Sequence, residues 1–126
     1  DGACGFRAIS RILFGTPNRH LHLRRTVMTF ITTNQPFMDH FISPGIGVEP
    51  LQILGQSPVH YASFHHYVQI MSHPQSFLGV PEIAAIEHMF SIKINIIHDT
   101  NLLPVQLPQT KQQIYILYSP NHYSSI

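Results

Sequence analysis

Residues 1–14, Asp1-Gly2-Ala3-Cys4-Gly5-Phe6-Arg7-Ala8-Ile9-Ser10-Arg11-Ile12-Leu13-Phe14, carry the segment on which the fold turns. Phe6, Ile9, Ile12 and Leu13 recur at helical spacing with Arg7 and Arg11 opposite, which predicts a helix over 3–14; Gly15 followed by Pro17 ends it. The turn-forming Asp-Gly leads straight into that helix, so Cys4, the one cysteine in 126 residues, stands at its N-terminus. A thiolate there faces the unsatisfied N–H groups of the first turn, which stabilise its charge. Gly2, Ala3 and Gly5 leave the neighbouring backbone uncovered, so its N–H groups can point at an oxyanion formed when the sulfur attacks a carbonyl. The heptad alone leaves a second reading open, in which Asp-Gly is an ordinary turn and Cys4 a small buried hydrophobe.

Outward from this segment, Leu23, Val27, Phe30 and Ile31 predict a second helix over 20–32, broken by Asn34 and Pro36. Residues 36–58 hold Pro36, Pro44, Pro50 and Pro58 with three glycines, and read as a winding surface excursion with a helical turn or two, its short apolar pieces at 37–41 and 51–54. Tyr61, Phe64, Val68 and Met71 share one helical face within a predicted helix over 59–71. Pro81 at a first helical position, Glu82 as an N-terminal charge, and the stripe Ile83, Ile86, Met89 and Phe90 predict a helix over 81–91. Strands follow at 93–98 (KINIIH), 113–119 (QIYILYS) and 122–126, with a Pro-punctuated segment at 102–108. Helices first and a small sheet last predict an α/β or α+β fold, with helices packed on a C-terminal β-sheet.

Composition narrows the function. A chain of 126 residues builds one ordinary core, so one domain over 1–126 is expected. With 44% apolar residues it is no disordered segment, and with 10% charged residues, against roughly 25% in average usage, no coiled coil. No apolar run reaches the roughly 18 residues of a membrane helix, and a lone cysteine forms no internal disulfide, which fits a reducing, intracellular and cytoplasmic setting. The net charge of +1 hides five arginines against one aspartate in residues 1–25. Arg7, Arg11, Arg19, Arg24 and Arg25 fall on two helix faces and read as solvated surface, so no nucleic acid is expected as a partner. His20, His22, His65, His66 and His73 lack the paired ligand spacing of a zinc site, and no metal is expected. The aromatic run at Tyr61, Phe64 and Tyr67 reads as a packed helix face rather than a stacking platform.

A nucleophilic cysteine needs a base, and ten histidines are too many to choose among by composition. His122 opens the terminal strand 118 residues after Cys4, in the order nucleophile then histidine that papain-like proteases use. Three segments together carry a resemblance. Asp1-Gly2-Ala3-Cys4-Gly5-Phe6-Arg7-Ala8 resembles the nucleophile motif of the ovarian-tumour (OTU) family of cysteine proteases, an Asp-Gly-x-Cys followed by an apolar-Phe-Arg-Ala-type helix. Asn121-His122-Tyr123 is similar to that family's histidine motif, and Phe77-Leu78-Gly79-Val80-Pro81-Glu82-Ile83 to its Trp-Gly-Gly-x-x-Glu-Leu segment. The three stand in the family's order and span the chain.

The resemblance implies a papain-like α/β fold and a thiol-dependent deubiquitinase that cleaves the isopeptide or peptide bond after ubiquitin's C-terminal glycine. It makes Cys4 the nucleophile, His122 the general base, Asp1 an active-site carboxylate, and the backbone of Gly2, Ala3 and Cys4 the oxyanion site. No cofactor is required. The implied partners are conjugates of ubiquitin or a ubiquitin-like modifier, with no membrane involved, and the chain is expected to act as a monomeric domain of a longer protein, trimmed of an N-terminal extension. Two departures stand out. Where the family commonly has Asp or Asn two residues after the histidine, this chain has Ser124, a hydroxyl that accepts a bond from the imidazole but brings no charge; losing the carboxylate of a serine triad costs about 10⁴ in turnover. Phe77 and Leu78 replace the usual Trp and first Gly, altering a loop expected to cover the substrate's tail. The alternative is a weak or inactive OTU-derived ubiquitin-binding or structural domain of a viral or mobile-element-like protein.

Overall fold

The first helix forms where its periodicity places it. In the structure, a computed structural model that describes residues 3–39, 47–48, 59–60, 62–97, 112–119 and 122–125, helix α1 spans Cys4–Phe14 and buries Phe6 and Ile9 completely. Gly15 closes it at φ 77°, a left-handed conformation that glycine adopts without a Cβ penalty, and its N–H reaches the Arg11 carbonyl at 2.9 Å. The buried Ser10 hydroxyl donates to the Thr16 carbonyl at 2.6 Å, and a 3-10 turn at Pro17–Arg19 carries the chain into α2, His20–Thr33.

Helix α2 buries Leu23, Val27 and Ile31 as expected, and Met28 with them. It also buries Arg24, which corrects the expectation that all five N-terminal arginines are solvated; Arg11, Arg19 and Arg25 are exposed and Arg7 is half-buried. Pro36, which separates this helix from the next, lies in the first turn of a short one, α3, Gln35–Met38, in keeping with the helical turn expected at the start of the 36–58 stretch. Two-residue strands β1 (Gly47–Val48) and β2 (Val59–His60) pair antiparallel.

The helix predicted from residue 59 starts later. Val59 and His60 belong to β2, and α4 runs Phe64–Met71 behind an extended Ser63 whose side chain accepts the His66 N–H at 3.1 Å. Its buried residues are Tyr67 and Met71, with Phe64 and Val68 half-buried beside them. Helix α5, Val80–Phe90, buries Ala85 and Ile86.

Strands β3 (Lys93–Ile97), β4 (Gln113–Ser119) and β5 (His122–Ser125) form one sheet in that order. β3 and β4 are parallel, from Lys93 opposite Gln113 to Ile97 opposite Leu117; β5 returns antiparallel, with His122 opposite Ser119 and Ser124 opposite Leu117. Ile114 and Ile116, two apart and so on one face of β4, join Phe6, Ile9, Leu23, Ile31, Tyr67 and Ile86 in a single core between the helices and the sheet. This is the α+β arrangement expected from the order of elements. Expectations for Asp1, Gly2, Tyr61, Asn121 and residues 40, 41, 51–54, 98, 102–108 and 126 lie outside the described residues.

Candidate active site

Cys4 is the first residue of α1, and its side chain is enclosed, with 3% of the residue exposed. The sulfur is not idle filler in that enclosure, because the backbone N–H of Tyr123 in β5 donates to its Sγ at 3.1 Å. One peptide unit, about 3.8 Å between Cα atoms, separates that donor residue from His122. The two segments quoted from opposite ends of the sequence therefore meet at the sulfur. Ser124 follows one residue after the donor on the same strand, and Ala3 forms the residue preceding the helix. The remaining predicted site residues, Asp1 and Gly2, precede the first described residue.

The segment at 77–82 forms the adjoining wall. Leu78 is buried, and a Cβ placed on Gly5 would lie 2.8 Å from Leu78 Cβ, 3.1 Å from its Cδ2 and 3.2 Å from Tyr123 Cδ2. Gly5 is thus a point of close approach between α1, the 77–79 stretch and β5, and no larger residue fits without displacement. Gly79 precedes α5, and the third helical residue, Glu82, accepts its N–H at 2.9 Å, one half of a capping box.

Glu82, expected as a helix N-terminal charge, stands in the first turn of α5 and is fully buried there. Its Oε2 accepts the Tyr67 hydroxyl at 2.6 Å. Burial pushes its carboxyl up to about 7; the bonds from Tyr67 and Gly79 and the charge of Arg24 restrain that rise. The sign for stability follows. A carboxyl held above its ordinary 4.5 favours the fold fully below that value, and the contribution is lost as pH rises through about 7. Urea melts at pH 5 and pH 8 should therefore show a fall in stability that Glu82→Gln, which cannot ionise, reduces by on the order of 2–3 kcal/mol; equal falls in the two proteins would contradict the assignment.

On the other side of this wall, Arg24 Nη1 donates to the Met71 carbonyl at 2.9 Å, and Nη2 to the carbonyls of Ser76 at 2.7 Å and Pro74 at 3.3 Å. Its guanidinium carbon lies 4.3 Å from the Phe6 ring centroid. Burial pulls its pKa down to about 10, against the favourable charge of Glu82, which leaves it cationic at neutral pH. Neither role was read from the sequence. The signal for Arg24 was present: it stands four residues before Met28 and seven before Ile31, a charge inside the apolar stripe of α2. Among the described residues no three His, Cys, Asp or Glu side chains gather as metal ligands, and no helix is long and apolar enough to cross a membrane.

Comparison with known proteins bears on this geometry. The family model described as OTU-like cysteine protease matches residues 1–125. Human OTU domain-containing protein 4 is 23% identical over 129 residues, covering 100% of this chain and 10% of that protein, so the chain spans about a tenth of the length of the curated relatives it matches. Among solved structures, the OTUD1 OTU domain superposes with a TM-score of 0.72 at 18% identity, covering 99% of this chain and 79% of that one. The viral OTU domain protease of Qalyub virus gives 0.66 at 16% identity, covering 100% and 80%. At these identities the two structures establish the shared fold.

Proposed function

The chain belongs to the OTU-like cysteine protease family, and from that premise we propose that it is a thiol hydrolase which cleaves the isopeptide or peptide bond after the C-terminal glycine of ubiquitin or a ubiquitin-like modifier. One observation carries the assignment of residues: the 3.1 Å bond from the Tyr123 N–H to Cys4 Sγ, which sets the start of β5 against the only cysteine. Residues 1–126 act in this proposal as one catalytic domain, and intracellular ubiquitin conjugates are its partners.

The chemistry is acyl transfer. His122 takes the Cys4 thiol proton, and the thiolate attacks the glycine carbonyl carbon to give a tetrahedral oxyanion held by the backbone N–H groups of Gly2, Ala3 and Cys4. Collapse breaks the C–N bond, and the lysine amine leaves with the proton that His122 returns. Water, deprotonated by His122, then attacks the thioester and releases the glycine carboxylate and the Cys4 thiol. Asp1 is proposed as the carboxylate that steadies the imidazolium, with Ser124 as the other candidate for the third position.

A ubiquitin whose C-terminus carries a thiol-reactive group tests this directly. The folded chain should form a covalent adduct, and peptide mass spectrometry should map it to Cys4. The absence of an adduct from a chain shown to be folded by circular dichroism would overturn the catalytic reading. Binding of unmodified ubiquitin together with an inert thiol would establish the alternative, a ubiquitin-binding domain without turnover; the 3% exposure of Cys4 is the observation that keeps that reading in play.

A further inference from the structure

The wall beside Cys4 is held at both ends. Arg24 grips the carbonyls of Met71, Pro74 and Ser76, and Glu82, itself bonded by Tyr67, grips the N–H of Gly79. Between these two anchors lies one large buried side chain, Leu78. It points at Gly5, the residue after the nucleophile, and fills the volume that a side chain at position 5 would take, in company with the Tyr123 ring. Val80, two residues on, is 68% exposed, so the burial of Leu78 is not a general property of this stretch. The motif that the sequence resembles has an apolar residue at position 5 and a glycine at position 78; here the large and small residues have changed places, and the volume between α1 and this segment is supplied from the opposite side.

We infer that Leu78 is a positioning residue for the proposed hydrolysis: wedged against Gly5 and Tyr123, it sets the separation of α1 from β5 and so holds Cys4 Sγ against the Tyr123 N–H. The inference rests on the functional reading for its catalytic consequence, but the contact it describes stands without it. Arg24 and Glu82 act through Leu78, by fixing the segment that presents it. A cavity-filling side chain alone would affect only the melting temperature. A wedge that sets a spacing also affects the hydrogen bond across the gap and the rate of the step that uses it.

The experiment exploits the exchange of volume. Gly5→Ala puts a methyl where 2.8 Å separates it from Leu78 Cβ, so it must drive the two walls apart or shift β5. The Tyr123 amide should then exchange with solvent deuterium at least tenfold faster, and the ubiquitin probe should label Cys4 at least tenfold more slowly at saturating concentration, with the half-saturating concentration unchanged. Gly5→Ala combined with Leu78→Gly, which vacates the same space, should return both readouts to within threefold of the starting protein. Leu78→Ala, which keeps the Cβ facing Gly5 and removes the rest of the side chain, should remain folded by circular dichroism while Tyr123 exchange quickens. Unchanged Tyr123 exchange in Gly5→Ala, or a double variant as impaired as the single one, would overturn the role of Leu78. Absence of labelling in the unmodified chain, with the exchange pattern as expected, would overturn the functional reading and not the wedge.

Discussion

His122→Ala is expected to slow cleavage of ubiquitin conjugates by about 10²- to 10⁴-fold, the range that a positioned general acid–base contributes, and Cys4→Ala to abolish it. The loss should appear in kcat rather than in KM, because the imidazole is used on the way to the transition state and not in holding ubiquitin. Among the described residues, the neighbouring groups are poor substitutes for it in moving a proton. Ser124 carries a hydroxyl of high pKa, and Glu82, the carboxyl of the segment that adjoins the site, is buried behind bonds to Tyr67 and Gly79. Steady-state cleavage of a fluorogenic ubiquitin substrate gives the measurement, and a His122→Ala enzyme within threefold of the starting kcat would remove His122 from the mechanism. Ser124→Asp extends the same assay. A large gain in kcat would assign the third position to residue 124, and an unchanged kcat would assign it to Asp1.

Arg24→Ala is expected to cost the fold about 3–5 kcal/mol, the size seen when one partner of a buried charged network is removed. The guanidinium serves carbonyls of Met71, Pro74 and Ser76, and its removal leaves the buried bonds to Met71 and Ser76 without their donor. It also strips the Phe6 ring of the cation 4.3 Å from its centroid and takes a positive charge from the neighbourhood of Glu82. Against a total of about 5–15 kcal/mol for an ordinary domain, this is a large share. Arg24→Lys should recover only a minor part, since a point-like ammonium cannot span acceptors that a planar fork meets together. Urea denaturation measures both, and a loss below about 1 kcal/mol for the alanine variant would show that the 71–76 turn holds itself.

The two variants mark the limits of what could be read in advance. Helices α1, α2 and α5 follow from apolar spacing because each presents a stripe to one core, and the strands follow from clustered β-branched and aromatic residues. The pairing of Cys4 with the start of β5 was legible only through motif resemblance, since no local pattern relates residues so far apart. Helix α4 is shorter than its pattern predicts because Val59, His60 and Tyr61 carry the same apolar and aromatic residue types as the helix, whose start is marked by the extended Ser63. Arg24 runs against the rule that charge marks surface, although its position in the α2 stripe points to burial. Glu82 was placed correctly at a helix start, but its burial depends on Tyr67 of α4, fifteen residues earlier. The close approach of Leu78 to Gly5 is a property of two surfaces meeting in space, and no single-residue preference encodes it.

The bond between Tyr123 and Cys4 closes a loop of 119 residues. During synthesis Cys4 emerges before β5, so a partly made chain carries the thiol without the strand that completes its surroundings. At about 5–20 residues per second, some 6–24 seconds separate the two. Over that interval Cys4 lacks the backbone donor that meets its sulfur in the folded domain. The surroundings of the thiol are thereby tied to completion of the domain, as a consequence of chain order alone.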